Sequence, residues 1–105
     1  MAQTATQETL KIYRKNIYEV NAKGSGKEFL VLFNISDKEF VGYFLSVSPT
    51  SDDDFYIEEI NRYITLTKMA EVRRYEVQRI LFNKNRYMTV SDKTYKRILK
   101  AGKMS

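Results

Sequence analysis

Residues 62 to 103 concentrate the side chains that can bind phosphate and stack on bases. Twelve Lys and Arg residues lie there against three carboxylates, a formal charge of +9. Residues 1 to 61 carry six cations and ten carboxylates, a charge of −4, so the two parts give the net charge of +5. Four tyrosines are interleaved with the cations of the basic part. A chain polarised in this way indicates a polyanionic partner.

The candidate nucleic-acid-binding residues lie in the middle of this basic part. Arginine can bind phosphate through paired donors, and tyrosine rings can stack on unpaired bases. No helix-turn-helix or zinc-finger pattern favours reading of a duplex groove, so RNA is favoured over DNA. The predicted contacts, with Tyr75 and Tyr87 as the stacking residues, are Arg73, Arg74, Tyr75, Arg79, Lys84, Arg86 and Tyr87.

Two other interpretations of the same residues stay open. The basic face can dock an acidic partner protein, which makes the chain a protein-interaction module. Alternatively, the tyrosines belong to the core and the cations form a solvated edge that discourages sheet aggregation. The basic segment near the C-terminus can likewise be a solvated helix face, an interpretation preferred to membrane binding.

The composition argues against enzymatic activity. The chain has no cysteine and no histidine, which excludes disulfides, the usual zinc sites and Ser-His-Asp triads. The acidic run Asp52–Asp54 lacks the spacing of a calcium loop, and Lys23–Lys27 lacks that of a phosphate loop. We therefore predict no catalytic residue, no metal and no cofactor.

Length and hydropathy predict one domain. With 105 residues and 43% hydrophobic residues, the chain is large enough for a single core. We place this domain at residues 9–103, after a flexible lead at residues 1–8. No run approaches the roughly 20 apolar residues that span a bilayer, and the polar N-terminus is no signal peptide, so a cytoplasmic location is expected.

The elements that must position the site are mainly strands. Phe29–Phe33 is a continuous apolar run, typical of a strand buried on both faces or of one inside a barrel wall. Phe40–Val47 predicts the next strand, in which Gly42 indicates a bulge or sharp coil. The acidic loop before Phe55 predicts a short helix capped by Ser51 or Asp52.

The basic part has one ambiguous and one clear element. Residues 72–82 fit a strand or a helix; we favour a strand, because Asn83–Asn85 then forms a hairpin turn. As a strand, it would place Arg73, Tyr75, Val77 and Arg79 on one face. A basic helix follows at about residues 92–101, with Ser91 as its cap and the basic side chains opposite Tyr95, Ile98 and Leu99.

Together these patterns predict an α+β domain of five to seven strands: a mainly antiparallel, partly closed β-barrel with one or two peripheral helices. The opening Lys11–Lys15, the strands at Phe29–Phe33 and Phe40–Val47, and the basic, tyrosine-rich end resemble the PrgU family. These are small regulators from pheromone-responsive conjugative plasmids of Gram-positive bacteria. The resemblance implies a PUA-like pseudo-barrel and a role in limiting plasmid-encoded surface adhesins.

Overall fold

The structure, a computed structural model, describes residues 11–22 and 24–102. The predicted flexible lead at residues 1–8 and Lys103 lie outside these ranges. The strands are β1 (Ile17–Ala22), β2 (Ser25–Asn34), β3 (Glu39–Phe44), β4 (Asp54–Ile57), β5 (Arg62–Thr65), β6 (Ala70–Arg73), β7 (Val77–Ile80), β8 (Phe82–Asn83) and β9 (Arg86–Tyr87). Two 3₁₀ turns, Glu58–Ile60 and Arg74–Glu76, and the helix α1 (Asp92–Ala101) complete the described elements. The chain is therefore a small α+β protein, and its strands pair antiparallel.

Strand β2 forms the centre of a five-stranded sheet with the order β6-β3-β2-β1-β7. Its successive side chains point to opposite faces, and both faces are covered. Phe29 and Val31 pack in one core, and Leu30 and Leu32 in the other, each with almost no exposure. The prediction of a strand buried on both faces is confirmed.

The two cores differ in what covers the sheet. The first contains residues from the sheet, the β4–β5 region, the segment between β9 and α1, and α1 itself: Ile17, Leu30, Leu32, Tyr43, Ile57, Ile60, Ile64, Met88, Val90 and Ile98. The second lies on the opposite face and is formed by Ile12, Tyr18, Val20, Phe29, Val31, Phe40, Val72 and Val77. Because apolar side chains alternate between the two faces along β1 and β2, each of these strands contributes residues to both cores.

Gly42 permits a close approach of β3 to β2. A Cβ atom at this position would lie 1.8 Å from the carbonyl oxygen of Leu30. The β2–β3 register shifts between Val31 and Phe33, directly beside Gly42. The irregularity predicted from this glycine is therefore present, and its extra residue belongs to the partner strand β2.

The main sheet is strongly curled, but no sheet in the described ranges closes into a barrel. Strands β6 and β7 are its two edges, about 19 Å apart in a flat sheet of five strands. Only the turn Arg74–Glu76 joins them, a connection that reaches about 14 Å at most. The sheet must therefore bend to bring these ends together, while the predicted barrel is not confirmed.

The single strand favoured for residues 72–82 is wrong. Strand β6 ends at Arg73, a 3₁₀ turn follows, and β7 starts at Val77. The Glu76 carboxylate accepts a hydrogen bond from the Arg73 backbone N–H at 2.8 Å, which stabilises the turn. The β1–β7 register also shifts between Glu19 and Val20. Because of these irregularities, Val77 is buried, whereas the three residues predicted to share its strand face, Arg73, Tyr75 and Arg79, are exposed.

The short helix predicted after the acidic loop is also replaced. Residues Asp54–Ile57 form β4, which pairs with β5, and only the 3₁₀ turn Glu58–Ile60 is helical. Neither predicted cap serves this turn, since no side-chain cap bond is present there. Nine strands in the described ranges exceed the five to seven expected, because β4 replaces the predicted helix and the predicted strand 72–82 is divided among β6, β7 and β8.

Helix α1 confirms the prediction for residues 92–101. The Ser91 hydroxyl accepts from the Thr94 backbone N–H at 3.2 Å, and the helix ends beside Gly102. Ile98 is buried, and the Tyr95 hydroxyl donates to the Leu32 carbonyl at 2.5 Å, which anchors the helix to β2. Among the described residues, no helix is long and apolar enough to cross a membrane.

Candidate nucleic-acid interface

The β8–β9 hairpin presents aromatic and basic side chains together. Lys84 and Asn85 form its two-residue turn with φ of 53° and 70°, the conformation of a tight type I′ connection. Phe82 and Tyr87 pair across the hairpin, with ring centroids 4.9 Å apart and planes tilted by 49°. Both rings are mostly exposed, at 60% and 58%, and Lys84 and Arg86 are exposed beside them. We call Phe82, Lys84, Arg86 and Tyr87 the hairpin surface.

A pocket of about 340 Å³ opens beside this surface. Phe82 belongs to both, so the pocket and the hairpin surface are continuous. The polar lining contains Glu28 at the start of the buried part of β2 and Arg62 at the start of β5. The lining consists of Glu28, Ile60, Asn61, Arg62, Leu81, Phe82 and Met88, and we call this cavity the Glu28 pocket.

Arg62 fixes the polar wall of the Glu28 pocket. Its Nε donates to Glu28 Oε1 at 2.7 Å and its Nη2 to Oε2 at 3.2 Å, a paired arrangement. Its Nη1 donates to the carbonyl oxygens of Ile60 and Asn61. The hydrogen bond to Glu28 raises the pKa of Arg62. The guanidinium thus holds the Glu28 carboxylate and the end of the 3₁₀ turn in one arrangement.

Asn61 adds a second polar group to the pocket lining. Its backbone adopts a left-handed conformation with φ of 54°, which asparagine tolerates. Its side-chain oxygen accepts a hydrogen bond from the Tyr56 hydroxyl at 2.7 Å. This bond holds the Asn61 side chain against Tyr56, whereas the backbone carbonyl of Asn61 accepts from Arg62.

The seven residues predicted from sequence divide into two groups. Lys84, Arg86 and Tyr87 lie on the hairpin surface. Arg73, Arg74, Tyr75 and Arg79 lie on or around β7 and the turn that precedes it. Roughly 20 Å of largely extended chain separates Tyr75 from Phe82, so the residues of the Arg74–Glu76 turn lie away from the hairpin, whereas Arg79 is only three residues from Phe82.

Two of the four residues around β7 already have partners in the protein. Arg79 Nε donates to Glu19 Oε1 at 2.7 Å in an ion pair. The Arg74 guanidinium donates to the Asp37 carbonyl at 3.3 Å. Tyr75 is 73% exposed and can still offer a ring face. A phosphate contact by these arginines would compete with their present bonds, and their role remains a prediction.

The helix α1 contributes a separate basic face. Its four cations, Lys93, Lys96, Arg97 and Lys100, are exposed, as the helical wheel predicts. The guanidinium carbon of Arg97 lies 5.6 Å from the centroid of the Phe55 ring, a cation–π contact. This face adds positive potential to the protein.

The acidic loop has a structural role. The Asp54 carboxylate accepts hydrogen bonds from the Thr65 hydroxyl at 2.7 Å and from the backbone N–H groups of Thr50 and Ser51. These bonds, with that from Thr65 first, lower the pKa of Asp54 to about 2. Within residues 11–22 and 24–102, no group of three or more acidic side chains could hold a metal ion.

The sequence did not indicate a functional role for three of the pocket residues, Glu28, Arg62 and Phe82. Glu28 and Arg62 lie 34 positions apart, on strands β2 and β5 of different sheets, and only the packing of these sheets brings them together. Phe82 was only the last residue of the strand predicted at residues 72–82, and no role was assigned to it. Its position one residue before an Asn-Lys-Asn turn was an available signal that it lies on a projecting hairpin.

Comparisons with known proteins support the fold. No family model and no curated protein matches the chain. Among solved structures, the chain is similar to an endoribonuclease in complex with its cognate antitoxin from a mycobacterial species. The TM-score is 0.64 with 15% identity, and the match covers 86% of this chain and 89% of that one. At this identity the similarity shows a shared fold alone.

Proposed function

We propose that the protein is an RNA-binding regulator that holds unpaired RNA on the hairpin surface. The observation that carries this proposal is the exposed pair of rings, Phe82 and Tyr87, flanked by Lys84 and Arg86. Neither cation has an ion pair with a described residue, so both can reach phosphates. Aromatic faces beside basic groups are the usual means of binding single strands.

RNA is preferred over a DNA duplex because the surface is a short projecting hairpin with tilted rings. Such rings stack on bases that are already unpaired, which single-stranded RNA and RNA loops supply. One solved protein with a similar fold is an endoribonuclease, a protein that acts on RNA, and this is compatible with an RNA partner on the same fold.

The proposed role is regulatory and not enzymatic. Each of the three guanidinium nitrogens of Arg62 is already hydrogen-bonded, so this arginine is poorly placed to stabilise a transition state on phosphate. Labelled RNA should therefore stay intact during prolonged incubation with the protein. Cleavage that disappears in a Glu28→Gln variant would contradict this part of the proposal.

The resemblance to PrgU proteins indicates which genes the protein would regulate. The protein would limit expression of conjugation or adhesin genes by holding their transcripts. Raising its level in cells induced for conjugation should lower the amount of surface adhesin. An unchanged adhesin level would contradict this regulatory role but not the proposed RNA binding.

Fluorescence anisotropy with labelled single-stranded RNA, duplex RNA and DNA tests the binding itself. We expect submicromolar affinity for single-stranded RNA and weaker binding to both duplexes. Affinity should fall with rising salt, because each neutralised phosphate of a single strand contributes a slope of about −0.7. Absence of RNA binding even at low salt would overturn the proposal.

A second candidate is a protein-interaction module whose basic face binds an acidic partner protein. It is favoured by the solved neighbour, which forms a complex with its antitoxin. In this case a purified acidic partner should remain bound after nuclease treatment, and added RNA should not compete. Release of the partner by nuclease would show that RNA bridges the two proteins and would support the RNA-binding proposal.

A further inference from the structure

A second pocket, of about 370 Å³, opens between the segment that precedes β1 and the end of β2. It is lined by Tyr13, Arg14, Phe33 and Asn34, and we call it the Tyr13 pocket. Its volume lies at the lower end of the range for ligand pockets. The Asn34 amide donates to the Ile12 carbonyl at 2.9 Å, so the two segments that line the pocket are bonded to each other.

The lining of the Tyr13 pocket combines aromatic rings with an unpaired positive charge. Tyr13 is 56% exposed, and Phe33 is half-buried against the first core. Arg14 is exposed and has no ion pair with another residue of the described ranges. Aromatic faces stack on any base, and a guanidinium binds phosphate through paired donors. This combination suits one unpaired nucleotide, with its base on the rings and its phosphate on Arg14.

The Tyr13 pocket and the hairpin surface lie on the same side of the main sheet. Thr89 pairs with Asn16 in an isolated antiparallel bridge, so their side chains share a face. The Asn16 amide donates to the Tyr18 hydroxyl at 3.5 Å on this face. The same hydroxyl accepts from the Tyr13 backbone N–H at 3.0 Å. Tyr87, two residues before Thr89, points to this face as well, so one surface connects the hairpin with the pocket.

A single strand can cover the distance between the two sites. The backbone path from Tyr87 through the Thr89–Asn16 bridge to Arg14 is at most about 20 Å long. Stacked nucleotides rise about 3.4 Å each, so about six of them reach this far, and fewer are needed when the strand is extended. Lys15 and Asp92 lie beside this path and form an ion pair, so the carboxylate is neutralised there.

We infer that the Tyr13 pocket is a second nucleotide site for the same unpaired RNA strand, in which Tyr13 and Phe33 contact the base and Arg14 the phosphate. This inference rests on the proposed function, because the hairpin surface holds the other part of the strand. Once the first contact has formed, the second is intramolecular, which raises the overall affinity. High affinity then requires a minimum length of RNA.

A length series of labelled oligouridines from two to twelve nucleotides tests this requirement. Anisotropy against the full chain at one salt concentration measures each affinity. A dinucleotide is too short to reach both sites, whereas eight nucleotides reach them in any conformation. Between these lengths we expect affinity to rise about 5- to 150-fold beyond the increase that additional binding registers produce, the range for one further base stack. A rise that the registers explain alone would overturn the second site.

Tyr13→Ala and Arg14→Gln remove the two kinds of contact separately. The bond to Tyr18 uses the Tyr13 backbone N–H, so Tyr13→Ala leaves it in place. On the twelve-nucleotide RNA, Tyr13→Ala should lower affinity about 5- to 150-fold, and Arg14→Gln should make the salt slope shallower by about 0.7. Both variants should bind the dinucleotide nearly as the unaltered protein does. Tyr75→Ala, an exposed tyrosine in the turn Arg74–Glu76, is the matched control and should retain the length dependence.

The outcomes separate this inference from the proposed function. Unchanged affinity and salt slope in the folded variants, with RNA binding by the unaltered protein retained, would overturn the second site alone. If Tyr13→Ala does not fold, Arg14→Gln decides by the salt slope. Equal losses on the dinucleotide and on the long RNA would overturn the arrangement of two sites on one strand. Failure of the unaltered protein to bind RNA of any length would overturn the proposed RNA binding and the second site with it.

Discussion

Substitution of Phe82 by alanine isolates the contribution of the hairpin surface to RNA binding. The ring is 60% exposed, so a base can stack on the part that Tyr87 leaves open. One base–aromatic stack contributes about 1–3 kcal/mol, so the dissociation constant should rise about 5- to 150-fold. Anisotropy with single-stranded RNA measures this change directly.

The same substitution has a limited effect on stability. The buried part of the side chain corresponds to roughly 80 Å² if a phenylalanine side chain has about 200 Å² of surface. At about 25 cal/mol per Å², the loss of unfolding free energy is about 2 kcal/mol at most. Circular dichroism must therefore confirm that Phe82→Ala is folded at the temperature of the titration.

Tyr75→Ala is the matched control for this experiment. Tyr75 is also an exposed aromatic residue, at 73%, but it lies at the far end of β7 from the hairpin. We expect the control to bind RNA nearly as the unaltered protein does. A folded Phe82→Ala variant with unchanged affinity would refute the stacking role, and a larger loss for Tyr75→Ala would move the interface to the β6–β7 turn.

The remaining predictions concern the framework that carries the site. Gly42→Ala should lower the free energy of unfolding by about 1–3 kcal/mol or more, because the new Cβ would lie 1.8 Å from the Leu30 carbonyl oxygen. Denaturant unfolding measures this loss. Unaltered stability would show that β3 can shift freely and would contradict the prediction. Asp54 has a pKa lowered from 3.8 to about 2, so its stabilising contribution is present above about pH 3.8 and is lost as the pH falls through about 2. The difference in stability between the unaltered protein and Asp54→Asn should shrink over this pH range, and a difference independent of pH would contradict the assigned bonds.

Local chemistry explains which parts of the fold the sequence predicted well. The apolar run at Phe29–Phe33 requires burial on both faces, and the Asn-Lys-Asn sequence tolerates the left-handed turn that the hairpin needs. Ser91 predicted the first residue of α1 correctly, because its hydroxyl accepts from a backbone N–H that has no partner within the helix. Each of these signals depends on neighbouring residues alone.

The errors arise where distant or backbone interactions decide the structure. The break at Arg74–Glu76 depends on a carboxylate that bonds to the Arg73 backbone, and no apolar pattern shows this bond. The Glu28–Arg62 pair depends on the packing of separate strands, so a search for local motifs could not find it. The structure places the predicted residues Lys84, Arg86 and Tyr87 on the hairpin, and their binding role stays a prediction; the sequence did not indicate the Glu28 pocket beside them.

Charge reversal on the hairpin tests the central claim most directly. In the double variant Lys84→Glu/Arg86→Glu, RNA affinity should fall and the salt slope should become shallower by about 1.4, the value for two phosphate contacts on a single strand. Lys68→Glu/Lys96→Glu changes the net charge equally at exposed positions outside the hairpin and should largely retain the slope. Equal losses in both folded variants would show that only net charge matters and would contradict the account, whereas a loss confined to the hairpin variant would support it.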